Sequence, residues 1–174
     1  MPVNIIEIKA KCLDAETIKN ILESNNADFK GIDHQIDTYF KSPIGRLKLR
    51  EGNIENTLIH YNRPNQAGPK NSQVTYLRLT PNSGIKAVLI AAMEILTIVD
   101  KKRSIYFIDN VKFHLNEVKH LGSFVEIEAI DETGEIGLTK LKEQCDYFME
   151  LFAIRFEDLI EVSYSDLMLE TVHG

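Results

Sequence analysis

The segment Gly45-Arg46-Leu47-Lys48-Leu49-Arg50-Glu51 decides the fold. Its side chains alternate, with Arg46, Lys48 and Arg50 on one side and Leu47, Leu49 and Glu51 on the other. A period of two marks a β-strand, in which successive side chains point to opposite faces. The alternation recurs upstream. Asn4–Lys11 sets Ile6, Ile8 and Ala10 against Ile5, Glu7, Lys9 and Lys11, and Gln35–Lys41 sets Gln35, Asp37 and Tyr39 against Ile36, Thr38 and Phe40. Downstream, Ile54–Asn62, Gln73–Thr80, Thr97–Ile108, Val111–Glu117 and Phe124–Ile130 read as further strands, about eight in all. The Gly/Pro/Asn-rich stretch Arg63–Ser72 reads as a long loop inserted between paired strands. Helical periodicity is rarer. It covers Asp14–Ser24, with Ile18, Ile21 and Leu22 at helical spacing, the apolar stretch Ser83–Leu96, and Leu138–Phe152, with Leu141, Cys145, Phe148, Met149 and Phe152 on one face. A shorter helix is expected over Arg155–Ile160. Many antiparallel strands and few helices predict an α+β fold, a single domain over residues 1–174, with the strands closed into an eight-stranded antiparallel β-barrel.

Composition narrows the function. The 174 residues include 20 Lys plus Arg and 26 Asp plus Glu, for a net charge of -6. An acidic chain is a poor prior for binding nucleic acid or an anionic membrane. Cys12 and Cys145 are too few for a disulfide framework or a zinc cluster and are expected to be buried hydrophobes. Met1–Cys12 mixes Glu7, Lys9 and Lys11 among its apolar residues, unlike a signal peptide, and the longest apolar run, Ala87–Met93, is too short to span a bilayer. A soluble, cytoplasmic protein is expected.

The polar strand faces carry the functional information. A solvated sheet face usually mixes signs, but here Lys9 with Lys11, Arg46 with Lys48 and Arg50, and Lys101 with Arg103 repeat one sign. With Arg63 and Arg78, nine of the 20 cations hold such positions. Like charges this close repel unless an anion neutralises them. Either these faces are solvated, or they point into the barrel around a polyanion such as phosphate, which Arg forks bind bidentately and Lys neutralises as a point charge. Glu126 and Glu128 share one face of the last strand, and Glu7 has the same status on the first. Three carboxylates beside a cationic face suit a hard divalent cation, although Glu126 and Glu128 could equally pair with neighbouring Lys or Arg. His114 shares a face with Lys112 and Asn116 and could serve as a proton-transfer group or phosphate donor, or be structural. Asp37 is expected to orient neighbouring cations.

In order and in strand phase, these segments resemble the CYTH superfamily, which includes class IV adenylate cyclases, thiamine triphosphatases and inorganic triphosphatases. The resemblance runs from Glu7-Ile-Lys9-Ala-Lys11, through Gln35-Ile-Asp37-Thr-Tyr39-Phe40, Gly45-Arg46-Leu-Lys48-Leu-Arg50-Glu51, Tyr61-Asn-Arg63, Arg78 and Lys101-Lys-Arg103. It continues through His114-Leu-Asn116-Glu-Val118 and Leu121-Gly122-Ser-Phe124-Val-Glu126-Ile-Glu128 to Ser163-Tyr164-Ser165-Asp166-Leu167. The class IV cyclase branch is the most similar. The resemblance implies a triphosphate tunnel inside the barrel. Lys9, Lys11, Arg46, Lys48, Arg50, Arg63, Arg78, Lys101 and Arg103 would clamp the triphosphate. Glu7, Glu126 and Glu128 would bind Mg²⁺ or Mn²⁺ and, with Lys11, act in catalysis. The implied substrate is a nucleoside triphosphate, thiamine triphosphate or tripolyphosphate, and a homodimer is plausible. Cyclisation of ATP, hydrolysis of a triphosphate and binding without turnover are the competing outcomes. The chain departs from the family pattern at Lys9, where a second Glu is expected, and at Asn116, where related sequences often carry Asp. Both changes remove a negative charge from the expected metal end.

Overall fold

The computed structural model describes residues 3–62 and 65–173. The eight strands are β1 (Val3–Lys11), β2 (Asp28–Phe40), β3 (Arg46–Glu51), β4 (Asn56–Asn62), β5 (Lys70–Arg78), β6 (Ile95–Ile108), β7 (Val111–Val118) and β8 (Gly122–Asp131). Every neighbouring pair is antiparallel, and the order β1-β5-β4-β3-β2-β6-β7-β8 returns to β1, so the sheet is a closed barrel without free edges. Outside it lie four helices: α1 (Ala15–Ser24), α2 (Ile85–Ala92), α3 (Leu138–Leu151) and α4 (Tyr164–His173).

The largest cluster of outward apolar side chains lies on one flank of the barrel, with Phe40 and Leu49 buried apart from it on β2 and β3. Ile6, Ile8 and Ala10 of β1, Phe113 of β7 and Val125 and Ile127 of β8 pack beneath Ile18 and Leu22 of α1 and Leu141, Cys145 and Phe148 of α3. The Phe113 ring meets Phe148 edge-on at 4.7 Å. The α1 N-terminus is capped by Asp14, whose Oδ1 accepts from the Thr17 amide at 3.1 Å. On the opposite flank α2 buries none of its residues, and Val88 is 66% exposed.

A second apolar cluster lies inside the barrel. Tyr39, Val99, Val118 and Phe124, all on inward phases, pack with Tyr164 at the start of α4 and fill one end of the interior. The closed end fixes the geometry of the site.

Several boundaries differ from the sequence expectation. β2 begins at Asp28, seven residues before Gln35, because a register shift between Phe29 and Gly31, with Gly31 at φ +118, breaks the alternation. The expected 63–72 loop is shorter, since Lys70, Asn71 and Ser72 already pair with β1. The apolar stretch predicted as a helix to Leu96 leaves the helix after Ala92. Met93 is extended, and Ile95 pairs with Phe40 as the start of β6. In place of a helix over Arg155–Ile160 there is a single 3₁₀ turn at Phe156–Asp158. α4 lies outside the expected helices, although its start carries a capping-box spacing: Ser163 Oγ accepts from the Asp166 amide at 3.2 Å, and Asp166 Oδ2 accepts from the Ser163 amide at 3.3 Å.

Candidate polyanion and metal site

The inward phase of the strands surrounds a cavity of about 270 Å³. Glu7, Lys9, Lys48, Arg50, Arg78, Arg103, Glu126 and Glu128 line it, together with Glu55, Lys112 and His114. Away from the closed end, its walls are the apolar Val3, Ile5, Val74 and Ile130, with Tyr76, Phe107 and the exposed Arg78 and Glu132. The cavity is therefore charged in its depth, while its mouth combines apolar walls with Arg78 and Glu132.

Three of the remaining anticipated residues stand elsewhere. Lys11 is exposed at the end of β1, opposite Phe124, and does not line the cavity. Arg46 pairs with Asp166 at 2.6 Å outside it. Lys101 is buried beneath it, with its ammonium 2.6 Å from Asp37. Arg63 lies outside the described residues.

Asp37 organises the cationic wall. Its carboxylate is fully buried and accepts a two-pronged bond from Arg50, Nε to Oδ1 and Nη2 to Oδ2, each at 2.9 Å. Lys101 donates to it, and Lys48 stands 3.6 Å away. Burial alone would raise the Asp37 carboxyl, but Arg50, Lys101 and Lys48 outweigh it and hold the group well below the usual carboxylate range. One anion thus serves three cations. Burial and the neighbouring Arg50 pull the Lys48 ammonium down to about 8, although Asp37 partly offsets them.

The carboxylate wall is built on β1 and β8. Oε2 of Glu126 accepts from Arg103 Nη2 at 2.8 Å, from the Asn116 amide and from the Tyr164 hydroxyl at 3.1 Å. Against the cost of burial, Arg103 holds this carboxyl well below its usual value. Glu128 faces Glu7 across the β1–β8 pair, and burial together with the Glu7 charge raises it to about 7, with Lys112 opposing. Glu55, in the turn before β4, takes an ion pair from Lys112 at 2.6 Å and one from Arg50 at 3.7 Å. Glu55 and Lys112 are not among the site residues expected from the sequence. Lys112 was legible from its phase with His114, whereas Glu55 sits in a turn that periodicity does not place.

The two departures from the family pattern are both tied to the closed end. Lys9 Nζ donates to the Val162 carbonyl at 3.1 Å and lies 4.4 Å from the centre of the Tyr164 ring. Asn116 donates to Glu126 and to Tyr164, bonds that a carboxylate at that position could not make.

A divalent ion fits the donors present. Ligand atoms of His114, Glu126 and Glu128 lie within 4.8 Å of one another. Both ring nitrogens of His114 are buried without a hydrogen-bond partner. Burial and the Arg103 charge keep this imidazole neutral by holding it well below its ordinary value.

Comparison with known proteins agrees with this architecture. The PH1012 protein of Pyrococcus horikoshii OT3 superposes with a TM-score of 0.77 at 26% identity, covering 96% of this chain and 99% of that one. A proposed adenylate cyclase of Vibrio parahaemolyticus gives 0.77 at 17% identity, covering 94% and 97%. A Hippeastrum protein proposed as an adenylyl cyclase, and described as having a dominant triphosphatase activity, gives 0.57 at 14% identity, covering 94% and 91%. At these lower identities the likeness concerns the fold. No curated protein matches the chain. The CYTH domain family model matches residues 4–156, nearly the full barrel with α1 to α3, and the chain belongs to the CYTH domain family.

Proposed function

We propose that this chain is a metal-dependent enzyme acting on an organic triphosphate inside the barrel, with the class IV adenylate cyclase reaction as the first reading. The observation that carries the proposal is the opposition of two charged walls in one cavity: Lys48, Arg50 and Arg103 against Glu7, Glu126 and Glu128. The cations clamp the phosphate chain, with Lys9 and Arg78 at the two ends of the row. Glu126 and Glu128, with Glu7, hold Mg²⁺ or Mn²⁺. The bound ion supplies neutralisation of phosphate oxygens and of charge on the leaving group. The protein's part is positioning and a pre-set field, with little covalent chemistry. In cyclisation the ribose 3′-hydroxyl attacks the α-phosphorus, its proton is lost, and pyrophosphate leaves. The apolar walls of the mouth, with Tyr76 and Phe107, support an organic group at the end of the phosphate chain.

A second reading is hydrolysis, in which water attacks the terminal phosphorus of thiamine triphosphate or tripolyphosphate. The same walls support it: the cations and carboxylates that line the cavity would hold phosphates and metal whichever phosphorus is attacked. Products resolved by chromatography after incubation with ATP, thiamine triphosphate or tripolyphosphate and Mn²⁺ distinguish the readings. Cyclic AMP with pyrophosphate supports the first, and orthophosphate without a cyclic product supports the second. Measurable binding with no product from any of the three refutes both and leaves a triphosphate-binding protein. A Glu126→Gln/Glu128→Gln variant is expected to lose at least about a hundred-fold in rate, as removal of metal-centred charge stabilisation implies; full activity in it refutes the metal assignment.

A further inference from the structure

We propose that His114 is itself a metal ligand, and that with Glu126 and Glu128 it makes a mixed nitrogen–oxygen site that selects a divalent transition ion over Mg²⁺. The proposal rests on the assignment of Glu126 and Glu128 to the metal, and not on which triphosphate is bound.

The geometry of the imidazole points there. His114 is 1% exposed, it lines the cavity, and Nδ1 stands 3.7 Å from Glu126 Oε2 and 3.7 Å from Glu128 Oε1. That separation is too long for a hydrogen bond. It matches two ligand atoms, each about 2.1 Å from a shared ion, meeting at an open angle. A buried polar atom left without a partner is costly, and both ring nitrogens of His114 are in that state. An ion between the carboxylates would engage the Nδ1 lone pair.

The neighbouring residues explain why a nitrogen donor belongs here. Asn116 in place of a carboxylate, and Lys9 in place of another, leave fewer anionic oxygens around the site. Oε2 of Glu126 already accepts from Arg103, Asn116 and Tyr164, which weakens it as an oxygen donor to the ion. The imidazole restores the donor count without adding charge. It also changes the preference. Mg²⁺ favours oxygen ligands and retained water, whereas imidazole suits later first-row ions such as Fe²⁺, Ni²⁺ and Zn²⁺; Mn²⁺, itself oxygen-preferring, serves as the paramagnetic probe of the site.

Mn²⁺ titrated into chelator-treated, triphosphate-free protein tests this by electron paramagnetic resonance. The bound ion is expected to show nitrogen hyperfine modulation in the spin echo. In His114→Gln the modulation should vanish, with Mn²⁺ affinity falling at least about ten-fold, as loss of a metal-site partner typically does, while Mg²⁺ affinity changes little. Should His114→Gln fold poorly, His114→Ala with free imidazole should restore the modulation. Bound Mn²⁺ without nitrogen modulation in the unsubstituted protein overturns the role of His114, however the variants behave, and leaves the carboxylate assignment standing. Mn²⁺ binding that is absent, or unaffected by Glu126→Gln and Glu128→Gln, overturns both.

Discussion

Lys48 sits where the charges of the cavity are least balanced. Arg50 and Lys101 take the near oxygens of Asp37, Lys48 is held 3.6 Å off, and the rings of Tyr39 and Tyr61 lie 5.5 Å and 5.3 Å from its ammonium. Its pKa of about 8 therefore records burial and cation repulsion that Asp37 and Glu126 do not offset. A polyphosphate in the cavity favours the charged form, so binding above this pKa must draw in a proton. Tripolyphosphate affinity is expected to fall as pH rises through 8, by at most about ten-fold per unit. Calorimetry in buffers of different ionisation heat should show the proton uptake, and Lys48→Met should flatten the dependence. A slope that survives in Lys48→Met assigns the titration to another group. For folding the sign reverses. Because the native pKa lies below the ordinary lysine value of 10.5, the unfolded chain holds more protons between about 8 and 10.5, and this residue's contribution to stability rises with pH across that window. Strand phase made Lys48, Arg50, Arg103, Glu126 and Glu128 legible in the sequence, because alternation is local. Phase says which face a side chain takes and not how far along the barrel it lies. Lys11, Arg46 and Lys101 share the phase but belong to levels beside the apolar plug, opposite Phe124, Tyr61 and Val118.

The elements divide into those that carry the barrel and those that only flank it. α3 buries Leu141, Cys145 and Phe148 against β1 and β8, the strands that present Glu7, Glu126 and Glu128. α2 is more apolar along its length, yet none of its residues is buried. Hydropathy and load-bearing therefore part company, and urea denaturation can measure the difference. Leu141→Ala is expected to cost about 2–5 kcal/mol, as truncation of a fully buried Leu does. Val88→Ser, at 66% exposure, is expected to stay within about 0.5 kcal/mol. If the two variants unfold at the same midpoint, α2 is packed against something in solution. Elements were legible where one period ran unbroken, as in β1, β3, β8 and α3. They were misjudged where two signals met: the Gly31 irregularity in β2, the apolar run that passes from α2 into β6, and α4, whose helical face was hidden behind a polar Ser-Tyr-Ser-Asp start.

At the scale of the molecule, a net charge of -6 coexists with a cation-lined interior. The acidic surplus lies largely on helices and connections such as Glu16, Glu23, Glu132, Glu135, Glu143 and Glu157, which are exposed. Long-range steering thus disfavours extended polyanions, while inside the barrel Arg50 and Arg103 are already paired with Asp37 and Glu126 and Lys48, 3.6 Å from Asp37, is the cation least matched until a small anion enters. Folding and anion binding are then linked. An anion that binds only the closed barrel stabilises it by about 2.7 kcal/mol at a hundred times its dissociation constant. For a chain of this length that corresponds to a rise in Tm of about 5–10 °C. Tripolyphosphate should produce this rise in a thermal scan, sodium chloride of matched ionic strength should not, and a short single-stranded oligonucleotide should leave Tm unchanged because the exterior repels it. An equal rise with chloride would mean that the interior charges respond to screening alone and that the cavity does not recognise phosphate. A rise with the oligonucleotide would place the anion-binding surface outside the barrel.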